Sequence, residues 1–207
     1  MSSDGLSWNR VRYSLYAPVY NLIRPIFAQG RRNSAARLAT QPGEKVLLLG
    51  CGTGLDLEFL PKDCEITAVD LTPAMVERTA DTAKALGLNC RAEVMNAQAL
   101  DLEDQSFDVV IAHLILAVVP DPFLAAQEMA RVLKPTGRAV IFDKFLGDDL
   151  EPTALRKLIN AVTSATFSDI NRKLGEILDA GGLQITHQED SIMRGAFKIT
   201  LVKKLQS

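Results

Sequence analysis

Little in this chain supports metal or disulfide chemistry. Its 207 residues include three cysteines, Cys51, Cys64 and Cys90, and two histidines. No two cysteines have C-x-x-C spacing, so neither a zinc site nor a disulfide framework is expected, and a reducing cytoplasm is the plain setting. Long apolar runs are scarce as well. The longest, near Ile111 to Val119, is too short to span a bilayer. The N-terminal MSSDGLSWNR lacks the apolar core of a signal peptide. The expected location is cytoplasmic, with peripheral contact at the inner membrane face as its nearest approach to lipid. Net charge is also small, at -2. The molecule as a whole is therefore not a nucleic-acid binder by charge, and it carries no recognisable nucleic-acid module.

Acidic residues are missing from one whole segment. Between Trp8 and Gly43 there is no Asp or Glu, while Arg10, Arg12, Arg24, Arg31, Arg32 and Arg37 fall there. Aromatic and aliphatic residues interleave them, among them Tyr13, Tyr16, Val19, Tyr20, Ile23 and Phe27. Residues 1–42 thus read as a basic, aromatic arm or lid, and residues 43–207 as the main domain. An arm of this composition can face a membrane, or pack its apolar side on its own domain with the arginines solvated.

After Pro42-Gly43 the pattern alternates. The continuous apolar run Lys45–Leu49 predicts a buried parallel strand. Strands are also expected at 66–70, 90–94, 107–113 and 138–142. A short helix is expected over 55–60. Thr72-Pro73 opens a helix that stops at Gly87, and Asp121-Pro122 opens another that ends near Leu133. Helical pattern follows over 153–165 and 170–180, and two last strands, 183–188 and 197–202, have hairpin spacing. The expected fold is α/β: a doubly wound, seven-stranded, mostly parallel sheet with a C-terminal antiparallel hairpin and an N-terminal helical arm.

The first strand runs into Gly50-Cys51-Gly52-Thr53-Gly54. A dinucleotide fingerprint would place its third glycine where Leu55 stands, and a P-loop would need a lysine that is absent. A glycine turn here lets the backbone approach a ligand outside the carboxyl ends of the strands. Asp70 ends the second strand, where a carboxylate can accept from both hydroxyls of a ribose; its local alternative is capping the next turn. Asn96, after the third strand, has the donor and acceptor to read an adenine edge; its local alternative is a turn residue.

In order, GCGTG, ITAVDLTPAMVERT, MNAQALDLEDQSFDVVIA and EMARVLKPTGRAVIFD resemble the class I S-adenosylmethionine-dependent methyltransferases. The likeness spans Lys45 to Asp143. It implies an enzyme that uses S-adenosylmethionine, releases S-adenosylhomocysteine and needs no metal. The implied cofactor contacts are the loop Gly50–Gly54, Asp70 with Leu71 at the ribose, Met75 packing on adenine, Asn96-Ala97 at the adenine edge, and Ala112-His113 near the methionine. Leu48 departs from the family pattern, which has Asp or Glu there to help fix the glycine turn and the methionine ammonium. Asp56 is a candidate for a compensating carboxylate; otherwise it complements a helix N-terminus. Cys51 reads as a space-filler in the loop, and His187 as structural.

RVRYSLYAPVYNLIRPIF and AHLILAVVPDP resemble the bacterial phosphatidylethanolamine N-methyltransferases, whose arm reads Y-x-x-x-A-P-x-Y-D. Tyr13, Ala17, Pro18 and Tyr20 match; Asn21 replaces the acid. The resemblance implies arm tyrosines, Tyr13 and Tyr20, closing over the cofactor. Tyr20 and His113 are the candidates for taking the amine's proton; the local alternative for His113 is a buried, hydrogen-bonded histidine. The acceptor expected is a phospholipid amine at an anionic membrane surface. The alternatives are a small soluble thiol, amine or hydroxyl acceptor, and a cofactor-binding module without catalysis.

Overall fold

The computed structural model describes residues 27–146 and 171–205. The arm residues Tyr13, Tyr20 and Asn21, and the helical pattern over 153–165, lie outside that range. A helix, α1, occupies residues 27–38. There follow β1 (Lys45–Leu49), a 3₁₀ turn (Leu57–Phe59), β2 (Glu65–Asp70), α2 (Pro73–Leu86), β3 (Cys90–Val94) and β4 (Phe107–His113). The chain continues through α3 (Pro122–Val132), β5 (Leu133–Asp143), α4 (Leu174–Ala180), β6 (Leu183–Asp190) and β7 (Lys198–Lys204).

The seven strands form one sheet in the order β3-β2-β1-β4-β5-β7-β6. Strands β1 to β5 pair in parallel, while β7 runs antiparallel to both β5 and β6. The order reverses between β1 and β4. That switch point opens a crevice at their carboxyl ends, where α/β sheets hold ligands.

Both faces of the sheet are covered, which is why the runs Val46–Leu49 of β1 and Val109–Ala112 of β4 are apolar and buried. Leu47, Leu49, Val110, Ala112, Met129, Leu133, Ile177 and Leu178 make the core beneath α3 and α4. Val46, Leu48, Ile66, Val109, Ile111, Phe142 and Leu38 make the core beneath α1 and α2. Helix α2 stops where Gly87 takes the left-handed conformation, at φ 66°. Asp121 caps α3 by accepting from the Phe123 and Leu124 amides.

Several boundaries differ from the sequence reading, most by one or two residues, and three of the differences have a clear local cause. The expected short helix over 55–60 is a single 3₁₀ turn, since Pro61 leaves no room for a second. Strand β5 begins five residues early, at Leu133. Phe107 pairs with Leu133 and Val109 with Arg138, so Lys134, Pro135, Thr136 and Gly137 bulge from the ladder while the strand continues. Helix α4 starts at Leu174, after Leu146 and Lys173 form an isolated bridge.

Helix α1 lies very close to the sheet. A Cβ placed on Gly30 would meet the Phe142 ring at 2.2 Å. Phe27 packs edge-on against Phe197 and Phe142, with centroids 5.2 and 6.5 Å apart. Gly→Ala in a helix ordinarily stabilises by up to about 1 kcal/mol. Here the sign should reverse: Gly30→Ala forces α1 off the sheet, and we expect a loss of about 1–3 kcal/mol in denaturant unfolding. A gain in stability would contradict the close packing.

Candidate active site

Gly50 leaves β1 at φ 73° and Gly54 closes the loop at φ 78°. Both are conformations that side chains resist. A Cβ on Gly50 would also meet Ile115 at 2.8 Å, and one on Gly54 the Thr79 backbone at 3.2 Å. The loop is pinned from β2 and α2. The amides of Gly50 and Cys51 both donate to the Val69 carbonyl at 2.9 Å. The Gly52 amide donates to Asp70 Oδ2 at 3.0 Å, and its carbonyl accepts from Thr79 Oγ1 at 2.9 Å.

Asp70 therefore joins two segments, since its Oδ1 accepts from the Thr72 amide at 2.9 Å. Thr72 stands at the N-cap of α2, but its side chain makes no capping bond. Burial pushes the Asp70 carboxyl above the usual range, and the Thr72 and Gly52 amides offset this only in part. Met75, in the first turn of α2, is buried, and Leu71 partly so. Asn96 folds back on itself: its Oδ1 accepts from the Gln98 amide at 3.1 Å and from Gln98 Nε2 at 3.3 Å. Ala97 and Ala112 are buried in the core beneath α3 and α4. Cys51 is buried in the loop and its thiol is pushed up to about 12 by burial, with Asp70 adding to the effect. Such a thiol is a filler and no nucleophile.

On the other side of the loop lies a group that sequence reasoning did not assemble. Arg31 Nη1 donates to Asp56 Oδ2. His113 Nδ1 stands 2.7 Å from Asp56 Oδ1, and His113 Nε2 stands 2.7 Å from Ser34 Oγ. All four side chains are buried. Burial by itself would raise the Asp56 carboxyl; Arg31 and His113 overcome it and hold the group well below the usual range. An ionised carboxylate only accepts, so His113 Nδ1 donates to it, and in the neutral ring Nε2 accepts from Ser34. The Phe142 ring packs perpendicular to His113 at 5.7 Å. Asp56 stands at the N-cap of the following 3₁₀ turn, where its side chain makes no capping bond. It is also too enclosed, with both oxygens engaged, to offer itself directly to a cofactor ammonium. A sequence signal did exist: Phe27, Arg31, Ser34 and Leu38 recur at helical spacing, and two polar residues interrupt that apolar stripe.

Asp143, at the end of β5, was also missed. It is buried, and it accepts from the amides of Ala117 and Lys144 at 3.0 and 2.9 Å, which holds the segment after β4. His187 lies on β6, exposed, with Nε2 3.2 Å from Glu189 Oε2. Among the described residues no three His, Cys, Asp or Glu side chains cluster as a metal site would require.

A family profile described as a methyltransferase domain matches residues 47–141. A phosphatidylethanolamine N-methyltransferase of Cereibacter sphaeroides is 31% identical over 161 residues, covering 77% of this chain and 77% of that protein. The chain belongs to the class I S-adenosylmethionine-dependent methyltransferases. It is a methyltransferase enzyme, and S-adenosylmethionine is its cofactor. A thiol S-methyltransferase of Rattus norvegicus is 36% identical over 96 residues, covering 44% of this chain and 39% of that protein. The structure of a putative sarcosine dimethylglycine methyltransferase from Galdieria sulphuraria superposes with a TM-score of 0.75 at 20% identity, over 89% of each chain, a likeness of fold.

The residues of this methyltransferase suit such a cofactor. Thr53 Oγ1, in the glycine loop, is buried with no hydrogen-bond partner among the described residues. Asn96 Nδ2 donates to no described residue. Asp70 offers a partly buried carboxylate at the carboxyl end of β2, beside the switch point. These are the polar groups that an adenosine with an amino-acid tail would engage.

Proposed function

We propose that this methyltransferase N-methylates the amine of phosphatidylethanolamine or a related phospholipid at a membrane surface. The observation that carries the reading is the Cereibacter relative, matched over 77% of both chains. The sequence of the arm supports it. Tyrosine faces attract methylated ammonium groups, and arginines attract anionic lipid.

In this reading Gly50–Gly54 holds the cofactor's backbone-facing side, and Asp70, with Leu71 beside it, accepts from the ribose hydroxyls. Met75 packs on adenine, Asn96 Nδ2 and Ala97 read its edge, and Ala112 borders the methionine. When bound, S-adenosylmethionine supplies an electrophilic methyl on sulfur. The chain's task is then to bring a neutral amine in line behind that methyl and to keep water out. An ammonium must first lose its proton. His113 has both ring nitrogens engaged, so it orients its neighbours, and the proton-accepting role passes to Tyr20, with Tyr13 helping to close the arm.

The arm's charge is smaller than its composition implies. Arg31 is buried against Asp56, Arg37 pairs with Glu189 at 2.8 Å, and Arg32 lies over the Phe59 ring at 5.8 Å. In this reading Arg10, Arg12 and Arg24, within residues 1–26, are the ones that meet lipid. At about 1 kcal/mol each, removing residues 1–26 should weaken binding to anionic vesicles by roughly 100-fold. Flotation of both chains measures this, and equal binding would take the arm out of the membrane argument.

The acceptor is tested with labelled cofactor and either phosphatidylethanolamine vesicles or a panel of soluble thiols, amines and hydroxyls. Label should enter the lipid. Label entering only soluble products would replace this reading with the second one, a small soluble acceptor, which the rat thiol S-methyltransferase supports. No helix among the described residues is long and apolar enough to cross a membrane.

A further inference from the structure

Ser34, His113 and Asp56 stand in the order and at the spacings of a nucleophile, a base and its orienting acid. Hydrolytic chemistry is nevertheless closed to them, because Ser34 is 0% exposed inside α1. The chain of bonds must act on the protein itself. It joins three segments: α1 through Arg31 and Ser34, the exit of the glycine loop through Asp56, and the end of β4 through His113. The last two flank the crevice where the strand order reverses.

Leu48 shows what this replaces. It lies in the same core as Ile111 and Phe142 and pairs in register with Ile111, two residues before His113. Side chains alternate along a strand, so Leu48, Ile111 and His113 face the same side, toward α1. An acid at position 48 would point to this side of the sheet. The carboxylate here comes instead from the loop's far end, at Asp56, with Arg31 brought in by α1 to neutralise it.

We propose that Arg31, Ser34, Asp56 and His113 are positioning residues for methyl transfer, which fix the glycine loop against β4 in place of a strand-end acid and make the docking of α1 and the binding of cofactor interdependent. This rests on the cofactor lying at the switch point. Coupling of this kind is reciprocal: whatever α1 adds to cofactor affinity, cofactor adds to α1.

The test uses the full chain with S-adenosylmethionine and S-adenosylhomocysteine, and two readouts: the dissociation constant by calorimetry and hydrogen exchange of the amides in 27–38. In the unaltered chain, cofactor should slow exchange throughout α1. Ser34→Ala, which removes one neutral hydrogen bond, should raise the dissociation constant roughly fivefold and shrink that protection. Asp56→Asn should do so more strongly. Ile177→Val, a core change on the opposite face, controls for general loosening and should leave both readouts unchanged. If the unaltered chain binds cofactor but α1 exchange does not respond, or if Ser34→Ala binds as tightly, the coupling is wrong. If the unaltered chain binds no cofactor, the placement of the cofactor itself fails. Should Asp56→Asn not fold, Ser34→Ala still decides.

Discussion

Asp70→Asn should weaken S-adenosylmethionine binding by roughly 100-fold. Each Asp70 oxygen already accepts one backbone amide, from Gly52 or Thr72. An asparagine must turn its NH₂ toward one of those N–H groups, which loosens the loop, and it loses the charge that would strengthen bonds from ribose hydroxyls. Two charge-assisted bonds at about 1.5 kcal/mol each amount to about 3 kcal/mol, and that sets the factor. The pH dependence has a definite sign. Burial raises the Asp70 carboxyl. The ionised form accepts from the ribose, so affinity should be full above that raised value and decline as pH falls through it, at a higher pH than an ordinary carboxylate would show. The stability of the free chain should respond oppositely through this group, because a folded-state value above the unfolded one makes protonation favour the fold. Calorimetric titrations across mildly acidic pH, with Asp70→Asn as the flat reference, measure both. An unchanged dissociation constant in the variant would remove Asp70 from the cofactor site.

Asp56→Ala should be the most destabilising change in the described residues discussed above. It strips the partner from a buried guanidinium and from one nitrogen of a buried imidazole. Removing one member of a buried ion pair costs about 3–5 kcal/mol, since the other charge stays out of water uncompensated. For a chain of this size that corresponds to a fall in melting temperature of about 10 °C. The Asp56 carboxyl is held below its usual range. Its contribution is therefore present at neutral pH, above the unfolded-state value, and is lost as pH falls toward the depressed folded-state value. Unaltered protein should lose stability in acid more steeply than Asp56→Ala does. Parallel curves would show that the network adds nothing through charge.

The elements that could be read ahead of the structure are those whose signals are local. β1, β3, β4 and α2 have the expected bounds, because an apolar run, Pro73 and Gly87 act within a few residues. The start of β5 could not be read in the same way. Lys134-Pro135-Thr136-Gly137 has the composition of a loop, and it stays in the strand as a bulge only because β4 offers partners on either side of it. The glycine loop, Asp70 and Asn96 stand at the carboxyl ends of β1, β2 and β3, where their spacing along the chain predicts them.

The four-residue network had only the helical spacing of Arg31 and Ser34 to hint at it, and nothing along the chain pointed to Asp56 or His113 as their partners. Its bonds join residues 25, 57 and 79 positions apart. By itself, the sequence determined the fold class through its periodicity, and its motifs carried the resemblance to the methyltransferase family. Only the tertiary structure decided which side chains partner the buried Asp56 carboxylate. A buried charge needs a partner of opposite sign at bonding distance, and that distance exists only once α1, the loop and β4 have packed together.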